Sequence, residues 1–138
     1  MCLIKCSNYA FAAAMALSLS VGAAAAAGDA AKGEKDFRKC KACHSIKEGK
    51  NKVGPSLFKI VGRKAGTVEG YKYSPSYIEA GEKGLVWTPE QIIAYLENPK
   101  TFLKTYLGKD KVKSKMVQKF KKQKLRENVT AYLESISQ

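Results

Sequence analysis

Two cysteines set three apart with a histidine directly after the second, Cys40-Lys41-Ala42-Cys43-His44, constrain this 138-residue chain more than any other feature. The spacing is the attachment signature of a c-type haem. On the end of a helix the two thiols reach the two vinyl groups along one porphyrin edge, and His44 is carried beneath the plane to offer an imidazole nitrogen to iron. Two other readings compete. A redox dithiol is expected beside alternating strands and helices, but little of the chain alternates with period 2. A structural zinc site needs four ligands, and past residue 27 the chain has only Cys40, Cys43 and its single histidine.

That boundary comes from the N-terminus, where Lys5 precedes an apolar run from Tyr9 to Val21 and a small-residue stretch ending Ala25-Ala26-Ala27-Gly28. The pattern reads as a cleavable secretory signal peptide over residues 1–27. The run falls short of the roughly 20 residues a spanning helix needs, so no stable membrane anchor is expected. Cys2 and Cys6 leave with it; Cys6 precedes the apolar run and is no lipid-anchor site. The remainder, 28–138, is one domain, and losing Lys5 leaves 24 basic against 12 acidic residues, a balance of +12.

The sixth position of a histidine-bound haem iron in a small electron carrier is commonly a methionine. Met1 and Met15 lie in the leader, which leaves Met116. A lone methionine is ordinarily core filling, but Lys113-Ser114-Lys115-Met116 is a polar, basic stretch with no helical stripe to pack into. Helices are indicated elsewhere. Asp29 caps a first helix with Gly33, Phe37 and Cys40 on one face. Thr88, Pro89 and Gln91 form a capping box with Trp87 and Ile92 as its staple, opening a helix that stops before Pro99. A last helix from about Lys124 aligns Leu125, Val129, Tyr132, Leu133 and Ile136. Long loops, 47 to 73 and 104 to 123, are expected between them, and loops of that length are uncommon unless functional. The expected fold class is all-α: three main helices plus short ones, wrapped with long loops around one covalently bound haem.

Beyond the haem signature, an ordered series resembles the class I cytochromes c, in particular the bacterial cytochrome c2 group. It comprises Gly28 to Gly33, Val53-Gly54-Pro55-Ser56-Leu57, Gly62-Arg63-Lys64-Ala65-Gly66, Gly70-Tyr71-Lys72-Tyr73-Ser74, Trp87, Tyr95 to Lys100, Met116 and Ala131-Tyr132-Leu133. The resemblance implies that the Pro55 carbonyl holds the far nitrogen of His44, and that Arg63, Tyr73 and Trp87 hydrogen-bond the haem propionates. It also places Tyr95 near the methionine sulfur and Gly33, Phe37 and Tyr132 at the crossing of the first and last helices. Two intervals, Tyr73 to Trp87 and Tyr95 to Met116, are longer than in the short mitochondrial form.

With His44 and Met116 both bound, iron has no open position for substrate, so the expected role is that of a monomeric periplasmic one-electron carrier and not an enzyme. The group carries electrons from the cytochrome bc1 complex to the photosynthetic reaction centre, or to a terminal oxidase. A small haem peroxidase with a labile Met116, or none, is the rival reading. From Lys100 to Arg126 there are 11 basic residues and one acid, Asp110. Charge of that density also suits nucleic acid or anionic lipid. Export removes cytosolic nucleic acid as a partner, and no aromatic residues are interleaved as a stacking platform. The expected use is a docking face around Lys41, Lys100 and Lys115, with Lys32 and Lys83 farther from the haem edge.

Overall fold

The computed structural model describes residues 28–138; the signal-peptide expectation for 1–27 lies outside them. Among the described residues five helices follow one another: α1 Ala30–Asp36, α2 Pro75–Glu82, α3 Pro89–Glu97, α4 Pro99–Leu107 and α5 Gln123–Ser135, and α1 tightens into a 3-10 turn over Phe37–Lys39. Among the described residues the only β pairing is an isolated bridge between Lys64 and Val86. The expected helices are present. Asp29 caps α1 by accepting from the Lys32 N–H at 3.0 Å, and α5 begins one residue before the expected Lys124. The capping box at α3 forms only in half. Thr88 Oγ1 accepts from the Gln91 N–H at 3.3 Å, but the Thr88 N–H donates to the Val86 carbonyl at 2.9 Å.

Two helices depart from the expectation. The loop placed over 104 to 123 begins only at Gly108, because α4 occupies Pro99–Leu107. Asn98 is the hinge: its extended backbone ends α3, while its side chain accepts from the Thr101 N–H at 3.2 Å and starts α4, with Pro99 at N1. Gly108 at φ 64° closes α4, its N–H reaching the Lys104 and Thr105 carbonyls. The stretch between Tyr73 and Trp87 likewise contains α2, which buries Ala80 and Gly81 and packs on α4.

The frame is the crossing of α1 and α5, with α3 also packed on α5. Gly33 makes the crossing possible: a β-carbon there would run into the Asn128 carbonyl and the Tyr132 Cβ. The Phe37 and Tyr132 rings meet beside it at 5.4 Å, and Asn128 Oδ1 accepts from the Asp29 N–H at 2.9 Å. Gly33→Ala should therefore lower unfolding free energy by about 2–3 kcal/mol through overpacking against backbone. An unchanged denaturant midpoint would show that the crossing can slide.

Candidate functional site

The helices and loops enclose a predominantly apolar cavity of about 260 Å³ whose lining brings together Cys40, Cys43, His44, Pro55, Arg63, Tyr73, Trp87, Tyr95 and Met116. All nine residues singled out in the sequence thus face one space, although they span 77 positions of the chain. Aliphatic side chains of Leu57, Ile60, Ile92, Leu96 and Leu133 complete the walls. Val53 and Val117 also line the cavity and are themselves largely exposed, at 77% and 83%.

The short 3-10 turn delivers Cys40, which is buried, and the chain then turns outward so that Cys43 is exposed. No disulfide joins them. Burial, aided by the nearby Cys43 and Asp36, pushes the Cys40 thiol up to about 11. A redox nucleophile needs the opposite, a thiolate stabilised at neutral pH. Nor do three or more His, Cys, Asp or Glu side chains cluster as a metal site among the described residues.

His44 is oriented from both sides. Its Nδ1 lies 2.8 Å from the Pro55 carbonyl oxygen, which can only accept, so Nδ1 carries the proton and Nε2 keeps its lone pair. Burial lowers the imidazole pKa against the opposing pull of that hydrogen bond, keeping the ring neutral and able to ligate. Gly54 lies against the ring so closely that any β-carbon would overlap it. The Gly54 N–H in turn donates to the Cys43 carbonyl at 2.7 Å, tying this loop to the signature.

Met116 is partly buried and packs against the core from an otherwise polar loop. Ser114 Oγ donates to the Met116 carbonyl at 2.8 Å, and Tyr95 lines the same cavity as Met116. Tyr95, 8% exposed, has its pKa pushed well up by burial and stays protonated.

All three residues expected to meet propionates reach the cavity, Arg63 and Tyr73 with part of their polar capacity engaged by protein. Arg63 donates from Nη1 to Phe58 O at 2.8 Å and from Nη2 to Ser56 O at 2.9 Å, bracing the loop after Pro55. Tyr73 accepts at its hydroxyl from the Val68 N–H at 3.3 Å. Trp87, 3% exposed, brings its indole to the same cavity. Tyr77 is the site residue that motif reading missed. It stacks on Tyr73 at 4.9 Å and meets Trp87 and Tyr95 at 5.8 and 6.1 Å. It belongs to α2, and a helix not seen in the sequence cannot aim a residue; the i, i+3 spacing of Ser74 and Tyr77 was the available signal.

The donor set fits haem c: two thiols, a neutral imidazole with a free Nε2, a thioether, aromatic and aliphatic walls, and Arg63 and Tyr73 on the same cavity. No family model matches the sequence. Individual relatives do. The chain is 43% identical over 117 residues to the cytochrome c2 of Rhodovulum adriaticum, covering 79% of this chain and 93% of that one. It is 47% identical over 110 residues to that of Rhodospirillum rubrum, covering 79% and 98%. The cytochrome c2 structure from Rhodospirillum centenum superposes with a TM-score of 0.77 at 46% identity, covering 80% of this chain and all of the other. That from Paracoccus denitrificans gives 0.75 at 40% identity, covering 80% and 97%.

The fold is therefore that of a class I cytochrome c. The chain belongs to the cytochrome c2 family, and with it carries one covalently bound haem c and serves as an electron carrier.

Proposed function

We propose that the protein is a periplasmic one-electron shuttle whose iron is held by His44 and Met116, taking electrons from the cytochrome bc1 complex and passing them to a photosynthetic reaction centre or a terminal oxidase. The observation that carries the reading is the pairing, on one apolar cavity with Cys40 and Cys43, of a neutral imidazole fixed by Pro55 and a thioether held by the Ser114 turn. Haem supplies the redox chemistry. The protein residues exclude water, orient the two ligands and leave no position for substrate, so little rearranges on electron gain. Cys40 and Cys43 form the thioethers. Arg63, Tyr73 and Trp87 offer their remaining polar atoms to the propionates, and Tyr95 packs by the sulfur. Residues 1–27 act as the export signal for the single haem domain 28–138, which works as a monomer. No helix among the described residues is long and apolar enough to cross a membrane.

Charge placement supports transient docking. Lys72, Lys100, Lys113 and Lys115 surround one shallow recess, and Lys115 also lines the haem cavity. Lys41, Lys100 and Lys115 form no ion pair among the described residues, whereas Lys32 pairs with Asp29 at 3.4 Å and Lys83 with Glu79 at 3.5 Å. Lysines held in no ion pair steer an acidic partner and act on association rate more than on final affinity. Flash-induced oxidation by isolated reaction centres, run beside steady turnover with an oxidase, separates the two acceptors. The faster rate should fall steeply from 0.01 M to 0.1 M salt, as the Debye length shrinks from about 30 Å to about 10 Å. Charge reversal at Lys41, Lys100 or Lys115 should slow it more than reversal at Lys32 or Lys83. Equal effects at all five would leave only nonspecific net charge, and the absence of salt dependence would remove electrostatic docking altogether.

A further inference from the structure

Arg126 is a charge placed where α5 should have had an apolar residue. Its neighbours Lys121, Lys122 and Lys124 are exposed, while Arg126 is only 6% exposed. Burying a guanidinium is costly unless its donors are engaged. Nη1 donates to the carbonyls of Phe120 and Lys121 at 2.8 and 2.9 Å. Nη2 reaches Glu97 Oε2 at 3.5 Å, but that carboxylate is 63% exposed and the attraction is screened by water. Nε has no partner. The main engagement of this buried charge is thus with two backbone carbonyls at the end of the loop that carries Met116.

That loop needs holding. From Gly108 to Lys122 it contains seven lysines, which repel one another, and only Val112 and Phe120 are buried. On the N-terminal side of Met116 it is pinned by Lys109 to Glu79 at 2.7 Å, by Ser74 Oγ donating to Lys113 O at 2.7 Å, and by the Lys113 N–H donating to Ser76 Oγ at 2.9 Å. On the C-terminal side it has the Phe120 N–H to Leu96 O at 2.9 Å, and Arg126.

We propose that Arg126 is a positioning residue for the sixth ligand: by fixing the carbonyls of Phe120 and Lys121 it sets how firmly Met116 is held over the cavity. This rests on Met116 being that ligand. The test is titration of the ferric holoprotein with imidazole, which must displace the thioether, so its apparent affinity scales with the population of the open loop. Arg126→Met should bind imidazole about tenfold more tightly than the parent, and Arg126→Lys, which keeps the charge and loses the two-carbonyl fork, should fall between. Glu97→Gln should stay within twofold. Tyr132→Ala, at the α1–α5 crossing, should lower the denaturant midpoint while leaving imidazole affinity within twofold. If Arg126→Met does not fold, the Lys variant carries the test. Parent-like imidazole affinity in the Arg126 variants, or an equal gain in Tyr132→Ala, overturns the proposal. A parent without the red thioether-to-iron charge-transfer band overturns the ligand assignment itself, and this inference falls with it.

Discussion

Met116→Ala should abolish the red charge-transfer band, lower the reduction potential by on the order of 100 mV and open the iron to imidazole, azide and peroxide. Thioether ligation favours ferrous iron and raises the potential, and 100 mV for one electron is about 2.3 kcal/mol, comparable to a good charge-assisted contact. The proposed ligation concentrates the effect on this residue. Met116 comes from a loop with few apolar contacts of its own and shares the cavity lining with Tyr95. Loss of the thioether removes the group that gives this loop a reason to close, and the peroxidase-like activity measured with a small reductant should rise. Retention of the parent spectrum and potential would identify another ligand, with Lys115 as the first suspect because it lines the same cavity.

That the site residues would gather on one cavity was readable in the sequence because each of them carries its chemistry locally. Cys40-x-x-Cys43-His44 is one turn of chain, and the Pro55 carbonyl meets His44 Nδ1 as the resemblance implied. The helices that frame the site were readable where a cap precedes an apolar stripe, as at Asp29 and Thr88. They were hidden where one residue serves two elements. Asn98-Pro99 reads as the end of α3, and it is; the same Asn98 side chain starts α4. Ser74-Pro75 has the look of a helix start, yet the Ser74 hydroxyl crosses to Lys113 instead of capping α2. Contacts of that kind join positions 39 apart and leave no periodic trace. The same holds for Arg63, whose motif points to the cavity while two of its nitrogens brace the carbonyls of Ser56 and Phe58. It holds for Arg126 too, whose burial could not be foreseen inside a run of exposed lysines.

The haem-free chain should be largely unfolded, which makes covalent attachment a folding event as well as a chemical one. Among the described residues, ten of the sixteen buried hydrophobic ones also line the cavity, including Phe37, Ile60, Trp87, Leu96, Phe120 and Leu133. Full burial of such side chains contributes roughly 1.5–3 kcal/mol each. Losing even half of that burial on ten of them removes about 8–15 kcal/mol, as much as the whole net stability of a typical domain, which is about 5–15 kcal/mol. The long segments 40–74 and 108–122 contain no helix, and many of their residues lean on the same walls. A doubly substituted Cys40→Ala, Cys43→Ala protein, exported and matured in the same host, should lack the one-haem mass increment, release any associated haem to acidified organic solvent, and show far less helical circular dichroism than the parent. The single Cys variants should retain one thioether and intermediate stability. A haem-free chain with parent-like helicity and a cooperative unfolding transition would show that α1, α3 and α5 close without the cofactor, and that attachment tunes the site instead of building it.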